Sequence, residues 1–330
     1  MDFELSEEQA MLREVSRSML TTHCSPELVR ATRDAGRDLD EKLWERGAEL
    51  GWTLLAVPED QGGAGMGLVE LSLVAEEIGR AAAPGPWLDT ALAALVAAKG
   101  GAPAEIVGGL SEGSLKAAIV TTEGAGLAQA AGSVDWLLVV AEDQVFLVEP
   151  SRTSLRRRGT LDETRGFHTV DLTDVEPTHV LEADPQWVRD AAAVLVAADA
   201  LGVGERLLAM TVEYAQVREQ FGRPIGSFQS VKHKAADMLK SLKGVRAATY
   251  YAAMALDAGL PDASMAASVA KAFASEQVPA VAGEALQTHG GIGFTWEHDL
   301  HLYLRRAKVD EVLYGDAGFH QDRVATLSLG

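Results

Sequence analysis

Two long runs in the C-terminal half place apolar residues at helical spacing. Val188, Ala192, Leu195, Ala198 and Gly202 mark the first. Phe228, Val231, Ala235, Met238, Leu242, Val245, Thr249 and Ala252 mark the second, in alternating steps of three and four. Such a seam lies flat against a neighbouring helix. Between the runs, Gly222, Pro224 and Gly226 break the helix, and Ser227 is the predicted N-cap of the next one. The pattern predicts an antiparallel helical hairpin with Arg218, Phe221 and Arg223 at its corner. Gly259-Leu260-Pro261-Asp262 sets off a third long helix, in which Pro279 predicts a kink.

The N-terminal third is also helical in pattern. Ser6-Glu7-Glu8-Gln9 reads as a capping box, with Leu12, Val15 and Met19 on one face of the helix that follows. A short helix from Leu43 ends at Gly51, and the glycine-rich stretch Pro58 to Gly65 is a loop. A helix from Leu68 to Ile78 comes next, with Glu76 and Glu77 expected on a solvated face. After Pro84-Gly85-Pro86 a further helix runs through Leu92 and Val96. The period changes near Ser114. The short apolar runs at 117–120, 136–140 and 145–148, then 170–172 and 179–181, are bounded by polar breaks and predict strands. The expected fold class is α+β and mostly α, with an N-terminal helical domain over 1–113, a small β-domain over 114–183 and a four-helix bundle over 184–330. The apolar seams of the bundle outnumber the faces one chain can cover, so most oligomer contact is expected there.

Composition narrows the partners. The chain has 330 residues, 47% of them hydrophobic, enough for a sizeable interior in two or three subdomains. Its net charge of −19 repels phosphate backbones and argues against nucleic acid. No apolar run approaches a membrane span and the N-terminus lacks a secretory pattern. Cys24 is the single cysteine, so no internal disulfide forms, and a reduced cytoplasmic setting is expected. There is neither a zinc-ligand cluster nor a glycine-rich dinucleotide fingerprint after a strand.

The chemistry-bearing stretches are two. At the hairpin corner, arginine forks suit phosphate oxygens and Phe221 offers a flat face to a ring; charges at such a corner can also be merely solvated. Gln287-Thr288-His289-Gly290-Gly291-Ile292-Gly293-Phe294 ends the third helix, and its paired glycines are equally consistent with a plain C-cap. Taken in order, Arg218 to Ile225, Gln287 to Phe294 and Leu304 to Lys308 resemble the acyl-CoA dehydrogenase family. The resemblance is closest from about Ala191 onward, fair over the first ninety residues and poor between.

The resemblance implies FAD-dependent α,β-dehydrogenation of an acyl-CoA thioester, with an electron-transfer flavoprotein as acceptor. It implies that Arg218 and Phe221 approach the adenine-diphosphate end of FAD, and that Gln287, Gly290 and Gly291 meet the same cofactor. Asp162-Glu163-Thr164-Arg165 matches a turn found at this point in the family. Two departures stand out. Thr121-Thr122-Glu123-Gly124-Ala125-Gly126-Leu127 is only a faint echo of the family's flavin-side Thr-Glu-Pro-Gly-x-Gly-Ser-Asp stretch, and the later Trp-(Ile/Thr)-Thr-Asn segment has no counterpart. Tyr314 stands where most members carry the catalytic glutamate, and Ala192 where a minority do. Glu311, on the expected side of Tyr314, Asp316 and Asp190 are the substitute bases within reach. The chain is therefore expected to be the glutamate-lacking subunit of a heteromeric acyl-CoA dehydrogenase, beside a second family chain. The alternative is a self-sufficient homo-oligomer with a non-standard base.

Overall fold

The computed structural model describes residues 4–122 and 126–329. Six helices come first: α1 (Glu7–His23), α2 (Pro26–Asp34), α3 (Glu41–Glu49), α4 (Leu68–Ala81), α5 (Trp87–Lys99) and α6 (Ala104–Ser111). Seven strands follow: β1 (Ala117–Thr121), β2 (Leu127–Gln129), β3 (Trp136–Val140), β4 (Val145–Val148), β5 (Ser154–Arg158), β6 (Phe167–Asp171) and β7 (His179–Leu181). The rest is α7 (Pro185–Val217), a small hairpin of β8 (Glu219–Gln220) and β9 (Arg223–Pro224), then α8 (Gln229–Asp257), α9 (Ala263–His289), α10 (Leu300–Asp310) and α11 (Ala317–Leu329).

Local chemistry explains several element ends. Ser6 Oγ accepts the Gln9 N–H at 3.1 Å while Gln9 Oε1 accepts the Ser6 N–H at 3.0 Å, the expected capping box. α7 opens on Asp184, whose carboxylate accepts the Gln186 N–H, with Pro185 in the first turn. α4 has glycine at its N-cap and borrows a carboxylate from far along the chain: Asp257 accepts the N–H groups of Leu68 and Val69 at 2.8 and 3.2 Å. Ser227 does not cap α8; it lies in a short 3₁₀ turn, and the N-cap is Phe228, which makes no side-chain cap bond. α9 runs through Pro279 as one helix.

The strands form two small sheets, in the orders β1-β3-β4-β7 and β2-β6-β5. β1 and β3 are parallel and the other pairs in these sheets antiparallel. β2 and β5 were not expected; β5 reads Ser-Leu-Arg-Arg-Arg because it is an exposed edge. α5 closes the edge at β1. Thr90 Oγ1 donates to the Ala117 carbonyl and accepts its N–H, and Asp89 accepts the Ile119 N–H at 3.0 Å. Asp89 is thereby held at the seam between helices and sheet.

α4 packs against α1, α7 and α8, so it is buried almost all round. Glu76 and Glu77 are therefore not on a solvated face. Glu77 forms a two-pronged ion pair with Arg17, and Glu76 accepts from Arg246 at 2.6 Å and from the Tyr250 hydroxyl at 2.8 Å. In α1 the inward row is Leu12, Ser16 and Leu20, with Val15 43% exposed, one position away from the expected stripe.

Candidate functional site

The Asp162–Arg165 turn ties the sheets to the bundle. Arg165 donates to Asp162 at 2.5 Å and to Asp310 of α10 at 2.6 Å. One turn before Asp310, Arg306 binds Asp199 of α7 with two prongs at 2.8 and 2.5 Å, and also reaches the Ala83 carbonyl and Thr164. All of these side chains are buried. Burial pushes the Asp310 carboxyl up, while at Asp199 the Arg306 guanidinium outweighs burial and holds the carboxyl low.

Beside this network, between α5, the sheets, α7 and the α10–α11 turn, lies a cavity of about 660 Å³. Leu88, Leu92, Leu195 and Phe167 contribute apolar wall, and Tyr314, Asp316, Asp190 and Ala192 also line it. Tyr314 and the three substitute bases each have partners within the chain. Tyr314, at φ +55°, donates its phenol to Asp89 at 3.4 Å; burial, then the Asp89 carboxylate, raises that phenol well above its ordinary range. Asp316 accepts the Phe319 N–H at 2.9 Å and so caps α11. Asp190 is bound by both Arg323 nitrogens, Gln186 and Ser264. Glu311 is not among the cavity-lining residues, contrary to its expected side; it pairs with Lys308. Of the Thr121–Leu127 stretch, Thr121 and Leu127 line the cavity, while Glu123, Gly124 and Ala125 lie outside the described residues.

Sequence reading missed Asp89. Burial pushes its carboxyl up to about 7 even though it accepts from Ile119 and Tyr314. The available signal was the one acid, in the first turn, of the mainly apolar Trp87–Lys99 helix.

The hairpin corner lies at the end of the bundle. Residues 220–223 form a two-residue turn with Phe221 at φ +53° and Gly222 at φ +75°. A bulky residue in this left-handed region costs about 1–2 kcal/mol. Yet the Phe221 ring is 93% exposed, and its one aromatic contact among the described residues is the edge of Phe228 at 6.2 Å. Arg223 sits 4.1 Å over Phe228. Arg218 is exposed and has no acidic partner among the described residues.

The ends of α7 and α9 meet through a pair that sequence reading did not single out. Tyr214 stacks on His289 at 4.6 Å, and the Tyr214 carbonyl accepts the Arg218 N–H. Arg218 and Gln287 thus belong to one end of the bundle. A Cβ added at Gly290 or Gly291 would meet nothing within 4 Å, so the chain itself leaves that surface open. Exposed cationic, aromatic and glycine surface of this kind fits an anionic, ring-bearing group that the rest of the chain does not cover.

Sequence comparison decides the family. Residues 6–106 match the N-terminal domain of acyl-CoA dehydrogenases, and residues 189–328 match their C-terminal domain. The chain belongs to the acyl-CoA dehydrogenase family, FAD-dependent oxidoreductases. It is similar to the acyl-CoA dehydrogenase IpdE2 of Mycobacterium tuberculosis, 39% identical over 310 residues, or 91% of each chain. IpdE2 of Mycolicibacterium smegmatis is 35% identical over 94% of this chain and 96% of that one. Among solved structures, a Tcur3481–Tcur3483 steroid ACAD superposes with a TM-score of 0.88 at 30% identity, covering 98% of both chains. The ChsE4–ChsE5 complex of Mycobacterium tuberculosis gives 0.89 at 26% identity over 100% and 99%. Among the described residues there is no acid, histidine and cysteine cluster suited to a metal, and no helix long and apolar enough to cross a membrane.

Proposed function

We propose that this acyl-CoA dehydrogenase chain works as the glutamate-lacking subunit of a heteromeric enzyme. Its hairpin corner would contribute Arg218 and Phe221, and the end of α9 Gln287, Gly290 and Gly291, to the adenine-diphosphate end of FAD. A partner chain supplies the flavin pocket and the base. When bound, FAD supplies the hydride acceptor for oxidation of an acyl thioester. This chain's residues bind the diphosphate, stack on the ring and hold the two helix ends in register through Tyr214 and His289. The observation that carries the reading is the Tyr314 phenol, raised and bonded to Asp89, at the position where the resemblance would put a catalytic glutamate. Asp190 is bound by Arg323, Glu311 pairs with Lys308 away from the cavity lining, and Asp316 holds the Phe319 N–H at the start of α11.

The paired proteins in two structural relatives, one of them a steroid ACAD, support a heteromer acting on the CoA thioester of a bulky, sterol-derived acid. An electron-transfer flavoprotein is the matching acceptor, and the site of action is the cytoplasm.

One observation favours a second reading. Asp89 lines the cavity with its carboxyl near neutrality, the range a general base needs. It would serve a self-sufficient homo-oligomer. The test is to purify the chain alone and co-expressed with a glutamate-bearing family member, and to measure FAD per chain and acyl-CoA turnover. The subunit reading expects neither flavin nor turnover from the single chain, and one FAD per pair of chains in the complex. Turnover by the single chain with one FAD each, lost in Asp89→Asn, would overturn it.

A further inference from the structure

α11 is held differently from the helix before it. α10 packs on α7 and α9 and buries seven of its eleven side chains. α11 packs mainly on α9, and of its thirteen residues only His320 is buried. Leu327 and Leu329 remain 44% and 89% exposed. Burial of apolar surface therefore does little to hold α11 down, and a segment with few buried contacts opens readily. Yet Phe319, His320 and Arg323 of α11 form one wall of the cavity, and Asp190, Ala192 and Leu195 of α7 form another.

Polar contacts hold α11 instead, and its root is the firmest part. Lys271, buried in α9, donates to the Glu311 and Gly315 carbonyls at 3.1 and 2.7 Å and to Ser275 at 2.7 Å. Between those two carbonyls Tyr314 and Gly315 are left-handed in succession, at φ +55° and +104°. Beyond this clamp the chain reads Asp316-Ala317-Gly318, and a Cβ at Gly318 would meet only Asp316 within 4 Å. The clamp and the small residues after it make a fixed root with a pivot. Other contacts close the helix over the cavity. His320 Nε2 donates to the Tyr314 carbonyl at 3.0 Å, and Gln321 reaches Glu276 at 2.6 Å on the surface. Arg323 binds Asp190 through both terminal nitrogens at 2.5 and 3.2 Å, and Ser268 at 2.9 Å. This is the one ion pair that α11 makes among the described residues. Its acceptor is rigid, because Asp190 is buried and also accepts from Gln186 and Ser264.

We infer that α11 is a hinged lid on the cavity, pivoting beyond the Lys271-held turn and latched shut by the Arg323–Asp190 ion pair. Closing keeps bulk water out of the cavity, and release of the latch admits a molecule from solution. The inference concerns access alone. It goes beyond the subunit reading and holds whatever the cavity takes in and however the chains pair. It also gives Asp190 a task other than proton transfer.

The test measures access on the purified chain. Ala192→Cys places a thiol on the α7 wall, at a position 3% exposed. Cys24, 6% exposed in the N-terminal helical core, is the internal reference for global opening. Labelling of both thiols by N-ethylmaleimide is followed by peptide mass spectrometry, with the latch intact and broken. Arg323→Met breaks it. Arg323→Met combined with Asp190→Asn breaks it without leaving a lone buried carboxylate, and so covers the case in which the single variant does not fold. Breaking the latch is expected to speed labelling of the introduced thiol about tenfold or more, the scale of a charge-assisted bond, while Cys24 keeps its parent rate. Hydrogen exchange of the α11 amides should accelerate by a similar factor, with α9 unchanged. An introduced thiol that labels equally fast with and without the latch would overturn the inference. So would acceleration of Cys24 in step with it, or α11 amides that exchange only together with those of α9, since either means that the fold opens as a whole. Because these readouts need neither FAD nor turnover, their failure is separate from failure of the subunit reading.

Discussion

Asp89→Asn should stabilise the protein at neutral pH, and by an amount that grows with pH. Asp89 is in the wall between α5 and β1, where its carboxylate accepts from the Ile119 N–H and the Tyr314 phenol. Burial outweighs both bonds and moves the carboxyl from an ordinary 3.8 up to about 7. An acid with a raised folded value favours folding in its neutral form. Its contribution is therefore fully present below 3.8 and is lost as pH rises toward 7. The two values lie about three pH units apart, and at about 1.36 kcal/mol each the cost of ionising the folded protein approaches roughly 4 kcal/mol above pH 7. At pH 5 only about 1.6 kcal/mol of it has accrued. Asparagine keeps an acceptor for Ile119, can donate to the Tyr314 oxygen and never ionises. Urea unfolding of both proteins at pH 5, 6, 7 and 8 measures the difference. The advantage of Asp89→Asn should widen by roughly 2–3 kcal/mol from pH 5 to pH 7 and then level off. A difference that stays constant with pH, or a variant less stable than the parent at pH 8, would refute the reasoning.

At the corner, Arg218→Ala in the FAD-bearing assembly should lose a charge-assisted bond of about 1.5–3 kcal/mol, read as flavin lost on dialysis. Gly291→Val should have the same effect with an unchanged melting temperature for the single chain, since its Cβ meets open space there; full flavin occupancy in both would move the site elsewhere. Phe221→Gly releases about 1–2 kcal/mol of left-handed strain but loses about 0.5–1 kcal/mol to backbone entropy. Its stability by urea unfolding should hold or rise slightly while flavin retention falls. Arg306→Leu leaves Asp199 ionised and buried, and should cost about 3–5 kcal/mol by urea unfolding.

The local pattern determined most helices, the Ser6 capping box, five of the seven sheet strands, one of them shifted by a few residues, and the placing of Arg218, Phe221 and Gln287 at helix ends. Those features depend on periodicity and on residues a few positions apart, which the chain displays directly. The other two strands and the division into two sheets were less legible. β5 is polar because its face is wet, and β2 is only three residues long. Glu76 and Glu77 were misplaced because their environment is made by Arg17 and Arg246, 60 and 170 positions away, which no local pattern reveals.

The site divides the same way. That a tyrosine, Tyr314, follows the Leu304 to Lys308 stretch where the resemblance leads one to expect a glutamate was legible in the chain. That its phenol meets Asp89, that Asp316 caps α11 and that Asp190 is bound by Arg323 depended on bringing α5, α7 and α11 to one cavity. Tyr214 and His289 lie far apart along the chain and became a stacked pair only when α7 and α9 packed. Burial decides these cases. It sets which charges must be paired and which acids stay protonated, and it arises from contacts between segments that sequence spacing alone does not specify.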